Sequence, residues 1–353
     1  MNLKKIAAVM LCSILLAQSF FVAAFETDQY NLPEAPLADI GDEVTEYARE
    51  KIAAAIAKIN ASIRERLACL EAKSEKKDCD SPERERKKLI ELRSEAAIAR
   101  AVFKPLGGGI PPFTNSGTWM ESHEFRAQPA RFKSSFGKSI YRTSPILYLT
   151  ISETVKIYGV ELGTDKIAHL FQQGYTYYRS VERAKEKKKS SAEGVSKAIK
   201  WGKMTERTYY GYWASGVYSN ADLAANFAGL KFYENLTREI RIGERRLVPI
   251  LALKDGFWAF NDEQNLRETL LKPFISNHLN EALNPSLVVN LFGFRSNIRK
   301  TVKKHACPQW RKNYPDRTRA DFAEITENLK LWHGEDYGFK PSADFVTIAA
   351  TCF

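Results

Sequence analysis

The sequence predicts a mainly α-helical protein, with an N-terminal helical hairpin, a larger helical domain and at most a small β-hairpin. Between residues 41 and 103, apolar residues recur at helical spacing, and Glu, Lys and Arg fill the positions between them. From residue 144 onward, amphipathic stretches follow one another, bounded by residues typical of helix ends. Only residues 246–260 have the composition of strands, and Asp255-Gly256 between two apolar runs predicts a hairpin turn there.

Residues 1–24 have the pattern of a secretory signal peptide. Lys4 and Lys5 form a charged start, residues 6–21 an apolar core, and small residues lead up to Ala24. We therefore expect cleavage near Ala24 and a location in the periplasm or outside the cell. No later stretch approaches the about 18 apolar residues of a membrane span, so we expect none after cleavage.

The cysteines fit an oxidising compartment. Without Cys12, which lies in the leader, an even number remains, and this predicts disulfides. Several pairings are possible, and we favour Cys69 with Cys79 and Cys307 with Cys352. Free buried thiols are the alternative. No clustering of His and Cys suggests a structural zinc.

Residues 25–105 predict a hairpin of two charged helices stapled by the first disulfide. The second helix is expected to begin after a charged loop, with Ser81 as its N-cap and Pro82 as its first residue. A dimerising coiled coil is the alternative to an intramolecular hairpin. Residues 106–143, which contain glycine and proline runs, predict a long loop or linker; its His123 either reaches a site or simply docks.

Residues 144–353 predict the helical domain with its basic C-terminal region. A first helix is expected to run from Ser144 to Gly159 and to carry Glu153, and a third from residue 192 to 213. Between them, Thr164 is expected to cap a helix that carries Asp165. Further along, residues 219–222 resemble a capping box, in which the acid needs no chemical role.

Asp165 and His169 lie four residues apart, so their side chains share one helix face. A carboxylate and an imidazole on one face suit a metal site or acid–base chemistry. The alternative is a pair of structural polar residues. Asn226 lies in an otherwise apolar stretch, and His278 and Glu281 form another polar cluster in apolar surroundings.

The stretch DKIAHLF, residues 165–171, resembles the DKxxHF stretch of VanZ-like and related small bacterial envelope proteins, with Leu170 where Phe is usual. Those relatives span the membrane. The resemblance implies a location in the cell envelope and no residue roles.

These residues predict two alternative functions. One is a metal-dependent hydrolase of an envelope substrate, in which a divalent metal such as zinc activates water. Its metal ligands would be Asp165 and His169, with His278 or, as alternatives, Glu281 or His123 completing the coordination sphere. Its catalytic residues would be Glu153, Asp165, His169, Asn226 and Glu281.

The other function, which the sequence favours, is non-catalytic binding in the cell envelope. The chain has a formal net charge of +11, and residues 295–319 are strongly basic. In an exported protein this charge favours an anionic polymer, a membrane surface or a protein partner, not nucleic acid. A solvated helix face is the alternative. The predicted anion-binding residues are Arg295, Arg299, Lys300, Lys303 and Lys304.

Overall fold

The structure is a computed structural model that describes residues 26–71, 79–110, 113–142, 148–149, 151–213, 215–261, 265–288 and 293–353. The predicted signal peptide and most of the charged loop after the first helix lie outside the described residues.

The protein is mainly α-helical, as predicted, and its strands form only small antiparallel sheets. The helices are α1 Gly41–Glu71, α2 Pro82–Leu92, α3 Glu95–Leu106, α4 Asn115–Ser122, α5 Thr164–Glu186, α6 Ser191–Glu206, α7 Asn220–Asn235, α8 Leu266–Thr269, α9 Phe294–Thr301, α10 Cys307–Asn313, α11 Arg319–Asn328 and α12 Ile348–Cys352. A π-helix, Val302–Ala306, joins α9 to α10. The strands are β1 Gly109–Ile110, β2 Phe113–Thr114, β3 Arg131–Phe132, β4 Thr154–Ile157, β5 Val160–Gly163, β6 Val217–Tyr218, β7 Ile240–Ile242, β8 Arg245–Leu247, β9 Leu251–Lys254, β10 Phe257–Phe260 and β11 Leu287–Val288.

The N-terminal helices pack as a group of three, where the sequence predicted a two-helix hairpin. The second helix of the predicted hairpin is divided into α2 and α3, because Ser94 is the N-cap of α3: its hydroxyl accepts a hydrogen bond from Ala97 N at 3.2 Å. Cys69 and Cys79 form the favoured disulfide at the end of α1.

The β9–β10 hairpin docks on α1. Asp255 and Gly256 both have positive φ, as a two-residue hairpin turn requires. The Asn60 side chain donates to Trp258 O at 2.8 Å and accepts from Trp258 N at 2.9 Å. The other strand pairs are β1 with β2, β6 with β11 and β7 with β8, and β3, β4 and β5 form a three-stranded sheet.

Part of the helix predicted for residues 144–159 is a strand instead; residues 143–147 and 150 lie outside the described residues. β4 pairs with β5 in the register Thr154 opposite Gly163. Asp39 explains the turn between them, because its carboxylate accepts bonds from Tyr158 N at 2.9 Å and Gly159 N at 2.6 Å. Both N–H groups therefore donate to a side chain and not to the backbone carbonyls that a helix would provide, so the chain turns at residues 158–159.

Residues 106–143, predicted as a loop or linker, carry β1, β2, α4 and β3 and dock on the helical core. Trp119 of α4 stacks on Tyr47 of α1 with ring centroids 4.0 Å apart. His123 stacks on the other side of this group, 4.5 Å from Trp119, and its Nε2 lies 3.6 Å from Glu43 Oε2. His123 therefore pairs with α1.

The helices α5 and α7 form the centre of the protein, and they meet at two glycines. A Cβ on Gly229 would lie 1.9 Å from Leu170 O, and one on Gly174 would lie 2.4 Å from Gly229 Cα. Only glycine permits this approach of the two backbones. The crossing places the N-terminal turns of both helices side by side.

A second, smaller core joins the chain's described N-terminal segment to its C-terminal region. Trp310 Nε1 donates to Tyr30 O at 2.8 Å, and Tyr30 OH donates to Val346 O at 2.6 Å. Cys307 and Cys352 form the second favoured disulfide. Disulfides are compatible with a secreted or periplasmic protein. Among the described residues, no helix is long and apolar enough to cross a membrane.

Candidate functional site

A buried group of charged and polar side chains lies where α5 and α7 begin. We call it the Lys166 cluster. Its members come from the segment before α1, the end of α6, the starts of α5 and α7 and the loop before β11. They are Glu26, Asp165, Lys166, His169, Glu206, Asp222, Asn226 and Glu281.

Lys166 is the centre of this cluster and is 0% exposed. Its Nζ lies 2.6 Å from Asp165 Oδ2, 2.5 Å from Asp222 Oδ1 and 2.5 Å from Glu281 Oε1. Three carboxylates thus surround one ammonium group, two of them through hydrogen bonds and Glu281 through an ion pair. The sequence predicted Asp165 and Glu281 as site residues but gave Lys166 no role.

Asp165 is held on its other side by Thr27, whose hydroxyl donates to Oδ1 at 2.7 Å. Gly163, and not Thr164 as predicted, is the N-cap of α5. A Cβ on Gly163 would lie 2.0 Å from Thr27 Oγ1, so the hydrogen bond to Asp165 requires glycine there. Thr164 is the first helical residue, and its hydroxyl donates to the Glu121 carboxylate.

Asp222 was predicted as the acid of a capping box, and this prediction is wrong. Ser219 does cap α7, since its Oγ accepts from Asp222 N at 2.9 Å. The Asp222 carboxylate, however, accepts a hydrogen bond from Lys166, because the buried ammonium requires acidic partners. Ser219 N donates instead to Glu206 Oε2 at 3.3 Å. Glu206, from another helix, therefore accepts the bond from the N-cap N–H that the acid of a capping box would accept.

His169 lies at the edge of the cluster and contacts α7 through both ring nitrogens. Nδ1 lies 3.0 Å from Asn226 Oδ1, and Nε2 lies 3.6 Å from Asp222 Oδ2. The structure shows no direct bond between His169 and Asp165; Lys166 and Asp222 connect them. Asn226, whose buried amide the sequence could not explain, orients the imidazole.

Glu281 brings the loop before β11 into the cluster. Ser219 Oγ donates to Glu281 Oε1 at 2.6 Å, and Ser286 Oγ donates to Oε2. Glu281 N donates to Gln29 Oε1 at 2.7 Å, which ties the loop to the N-terminal segment. Glu281 is 2% exposed, and each of its carboxylate oxygens accepts one serine hydrogen bond.

The electrostatics of the cluster are dominated by acids. Burial alone lowers the pKa of Lys166, but Asp165, Asp222, Glu281 and Glu26 raise it well above its ordinary value. Lys166 is therefore charged at neutral pH. Burial, followed by the charge of Asp222, raises the pKa of both Glu26 and Glu206 well above the ordinary value.

Two of the predicted site residues have other surroundings. His278 Nδ1 lies 3.0 Å from Ser276 Oγ and Nε2 lies 3.3 Å from Leu331 O. Burial and nearby His333 lower the pKa of His278 to about 4, so the ring is neutral at pH 7. Glu153 is half-buried and lies 3.4 Å from Arg131 Nε. None of these contacts joins either residue to Lys166.

Sequence reasoning missed Lys166, Glu26, Glu206 and the role of Asp222. A signal existed for Lys166, because it lies on the buried stripe that continues through Leu170, Gly174 and Tyr177. A lysine on a buried stripe requires acidic partners. Glu26 carried no such signal, since it reaches the cluster only through long-range folding.

The basic residues of the C-terminal region divide into two groups. Arg295 is a structural residue: its Nη1 lies 2.7 Å from Asp344 Oδ1, and its guanidinium also donates to Val288 O. The other four are exposed at the surface; they are Arg299, Lys300, Lys303 and Lys304.

The segment before β4 adds charge to this surface. Burial is the largest cause that lowers the pKa of His305, and Lys304, Arg142 and Lys138 lower it further. Lys138 and Arg142 are exposed as well. We call the surface formed by these six exposed residues the basic face; they are Lys138, Arg142, Arg299, Lys300, Lys303 and Lys304.

Comparison with protein-family models, curated proteins and solved structures finds no match to this chain.

Chemically, the Lys166 cluster is arranged to hold charge in place. The ammonium and both oxygens of Asp165 and Glu281 already have protein partners. The basic face, in contrast, carries exposed charged groups that are able to meet a large partner.

Proposed function

We propose that this protein is an exported cell-envelope protein that binds an anionic membrane surface through the basic face. The observation that carries the proposal is the meeting of two distant segments. They meet at neighbouring residues of the N-terminal segment: Asn31 Nδ2 donates to Lys138 O at 3.0 Å, and Leu32 N donates to Gln309 Oε1 at 3.0 Å. In agreement, Lys304, Arg142 and Lys138 all lower the pKa of His305. A positive surface assembled from two parts of the fold attracts anionic head groups more strongly than one helix face alone.

Exposed apolar side chains beside the basic face favour a membrane over a soluble polymer. Phe136 is 40% exposed and Leu149 is 74% exposed. Tyr148 connects them, because its ring contacts Phe136 with centroids 5.1 Å apart and it precedes Leu149 in the chain. Basic residues next to exposed aromatic and aliphatic ones are typical of proteins that bind at the membrane interface.

The test is vesicle sedimentation of the exported protein with neutral or anionic phospholipid. We expect binding to anionic vesicles alone, falling steeply as salt increases. The double variant Lys303→Ala, Lys304→Ala should bind less and depend less on salt. A double variant on exposed α6 positions, Lys197→Ala with Lys200→Ala, removes equal charge and serves as the control.

The apolar contribution is tested separately. Leu149→Ser should weaken binding at high salt, where the charge contribution is screened. Equal retention on neutral and anionic vesicles, or equal losses in the two lysine double variants, would refute the proposal. Binding to an anionic wall polymer without binding to vesicles would instead identify the polymer, and not a membrane, as the ligand of the basic face.

A second candidate function is the metal-dependent hydrolase. It is favoured by one observation: Asp165, His169, Asn226 and Glu281 converge on one cluster. Since both ring nitrogens of His169 contact α7, the imidazole is better placed to orient groups than to take a proton from a substrate. Divalent-ion-dependent cleavage of a chromogenic ester or phosphodiester, abolished in His169→Ala, is the test of this candidate.

A further inference from the structure

We propose that Glu26, Asp222 and Glu281 form a binding site for a hard divalent cation of the calcium, magnesium or manganese class. One carboxylate oxygen from each residue lies within 4.8 Å of the other two. An ion at about 2.0–2.6 Å from each oxygen bridges such a spacing. Of these residues, the sequence suggested Glu281 alone as a possible metal ligand, and the site rests neither on membrane binding nor on hydrolase activity.

An unpartnered oxygen supports the site independently of the spacing. Glu26 Oε1 accepts a hydrogen bond from Ser215 Oγ at 2.8 Å. Within the described part of the chain, Glu26 Oε2 has no hydrogen-bond partner, although Glu26 is only 2% exposed. A buried acceptor without a partner is costly, and a bound cation satisfies it.

Glu206 also has a buried carboxylate oxygen without a partner. Its Oε2 accepts from N of Ser219, the N-cap of the helix that carries Asp222, whereas its Oε1 has no partner among the residues that the structure describes. The two buried carboxylates with unsatisfied oxygens therefore adjoin the same acids. Lys166 pairs directly with Asp165, Asp222 and Glu281, and the charge of Glu26 acts on it as well.

Lys166 does not bind every carboxylate oxygen of the three proposed ligands. It bonds Asp222 Oδ1 and Glu281 Oε1. Asp222 Oδ2 and Glu26 Oε2 are not bonded to the lysine. An ion held by these oxygens brings positive charge to the side of the acids that the lysine does not cover.

The donor atoms select the kind of ion. All three ligands are carboxylates, which suit calcium, magnesium and manganese, whereas zinc prefers imidazole and thiolate. The nearest imidazole, His169, directs Nε2 at Asp222 Oδ2 from 3.6 Å, so it adjoins a ligand of the proposed site.

Manganese is the probe for the test, because the spin-resonance signal of the free ion disappears on binding. The mature protein, without the predicted signal peptide, is freed of metal with a chelator and titrated with manganese. Calcium is then added as a competitor. We expect about one ion per chain, displaced by calcium. Glu26→Gln should weaken binding by about tenfold or more. Glu324→Gln, an exposed acid on α11, is the matched control and should bind as the wild type does.

Thermal unfolding provides a second readout. Manganese should raise the unfolding temperature of the wild type and of Glu324→Gln, but not of Glu26→Gln. Without metal, Glu26→Gln should be at least as stable as the wild type, because it removes a buried acid. Glu281→Gln is a second ligand variant and should also lose binding. Absence of saturable binding to folded wild-type protein at millimolar manganese or calcium, or unchanged binding in Glu26→Gln, would overturn the proposal.

Discussion

Lys166 Nζ lies 2.5 Å from Asp222 Oδ1, so a single buried ammonium joins the first turn of α5 to the first turn of α7. The same two helices meet again about two turns along, at Gly174 and Gly229. The crossing of α5 and α7 is thus fixed by a close backbone contact at one point and by an ion pair at another. A buried pair of this kind specifies an arrangement even where it adds little net stability.

Lys166→Met should strongly destabilise the protein. Removal of the ammonium leaves three buried carboxylates without their shared partner, and breaking a buried pair in this way costs about 3–5 kcal/mol in the free energy of unfolding. Urea unfolding followed by circular dichroism measures the change. Lys197→Met on the exposed face of α6 is the control and should stay within about 0.5 kcal/mol of the wild type. Equal stability of the two variants would contradict the central role of Lys166.

The sequence identified about half of the Lys166 cluster for a physical reason. Asp165 and His169 share a helix face, and Asn226 and Glu281 stand out as polar residues in apolar stretches, so local periodicity reveals them. Glu26 and Glu206 reach the cluster through contacts with Ser215 and Ser219, which no local pattern encodes.

In the fold, too, local sequence pattern reveals some elements, whereas long-range contacts decide others. Helices with long apolar stripes, such as α1 and α5, follow from periodicity alone. β4 was mistaken for helix because Asp39, far away in the chain, decides the conformation of residues 158–159. Tertiary contacts of this kind override local preference.

Gly229→Ala should destabilise the crossing of α5 and α7. The new methyl group would lie 1.9 Å from Leu170 O, so the two helices must separate. Overpacking of this kind costs about 1–3 kcal/mol in the free energy of unfolding, a loss that chemical denaturation detects. Gly137→Ala adds the same methyl group where no atom lies within 4 Å, so it is a suitable control. If both variants were equally stable, the close contact at Gly229 would not constrain the helices.

His278→Gln should reduce the loss of stability that the protein suffers in mild acid. Burial lowers the pKa of folded His278 to about 4, whereas the unfolded residue titrates near about 6.5. Between these values the unfolded chain binds the extra proton, so the histidine's contribution is complete above about pH 6.5 and falls as the pH decreases. From about pH 7 to about pH 5 we expect a loss of about 2 kcal/mol from this residue alone. Denaturant unfolding at the two pH values should show a loss smaller by that amount in His278→Gln than in the wild type. His305→Gln, which alters an imidazole that is less buried than that of His278, should retain most of the wild-type loss. An undiminished loss in His278→Gln would show that the ring is not held neutral by its burial.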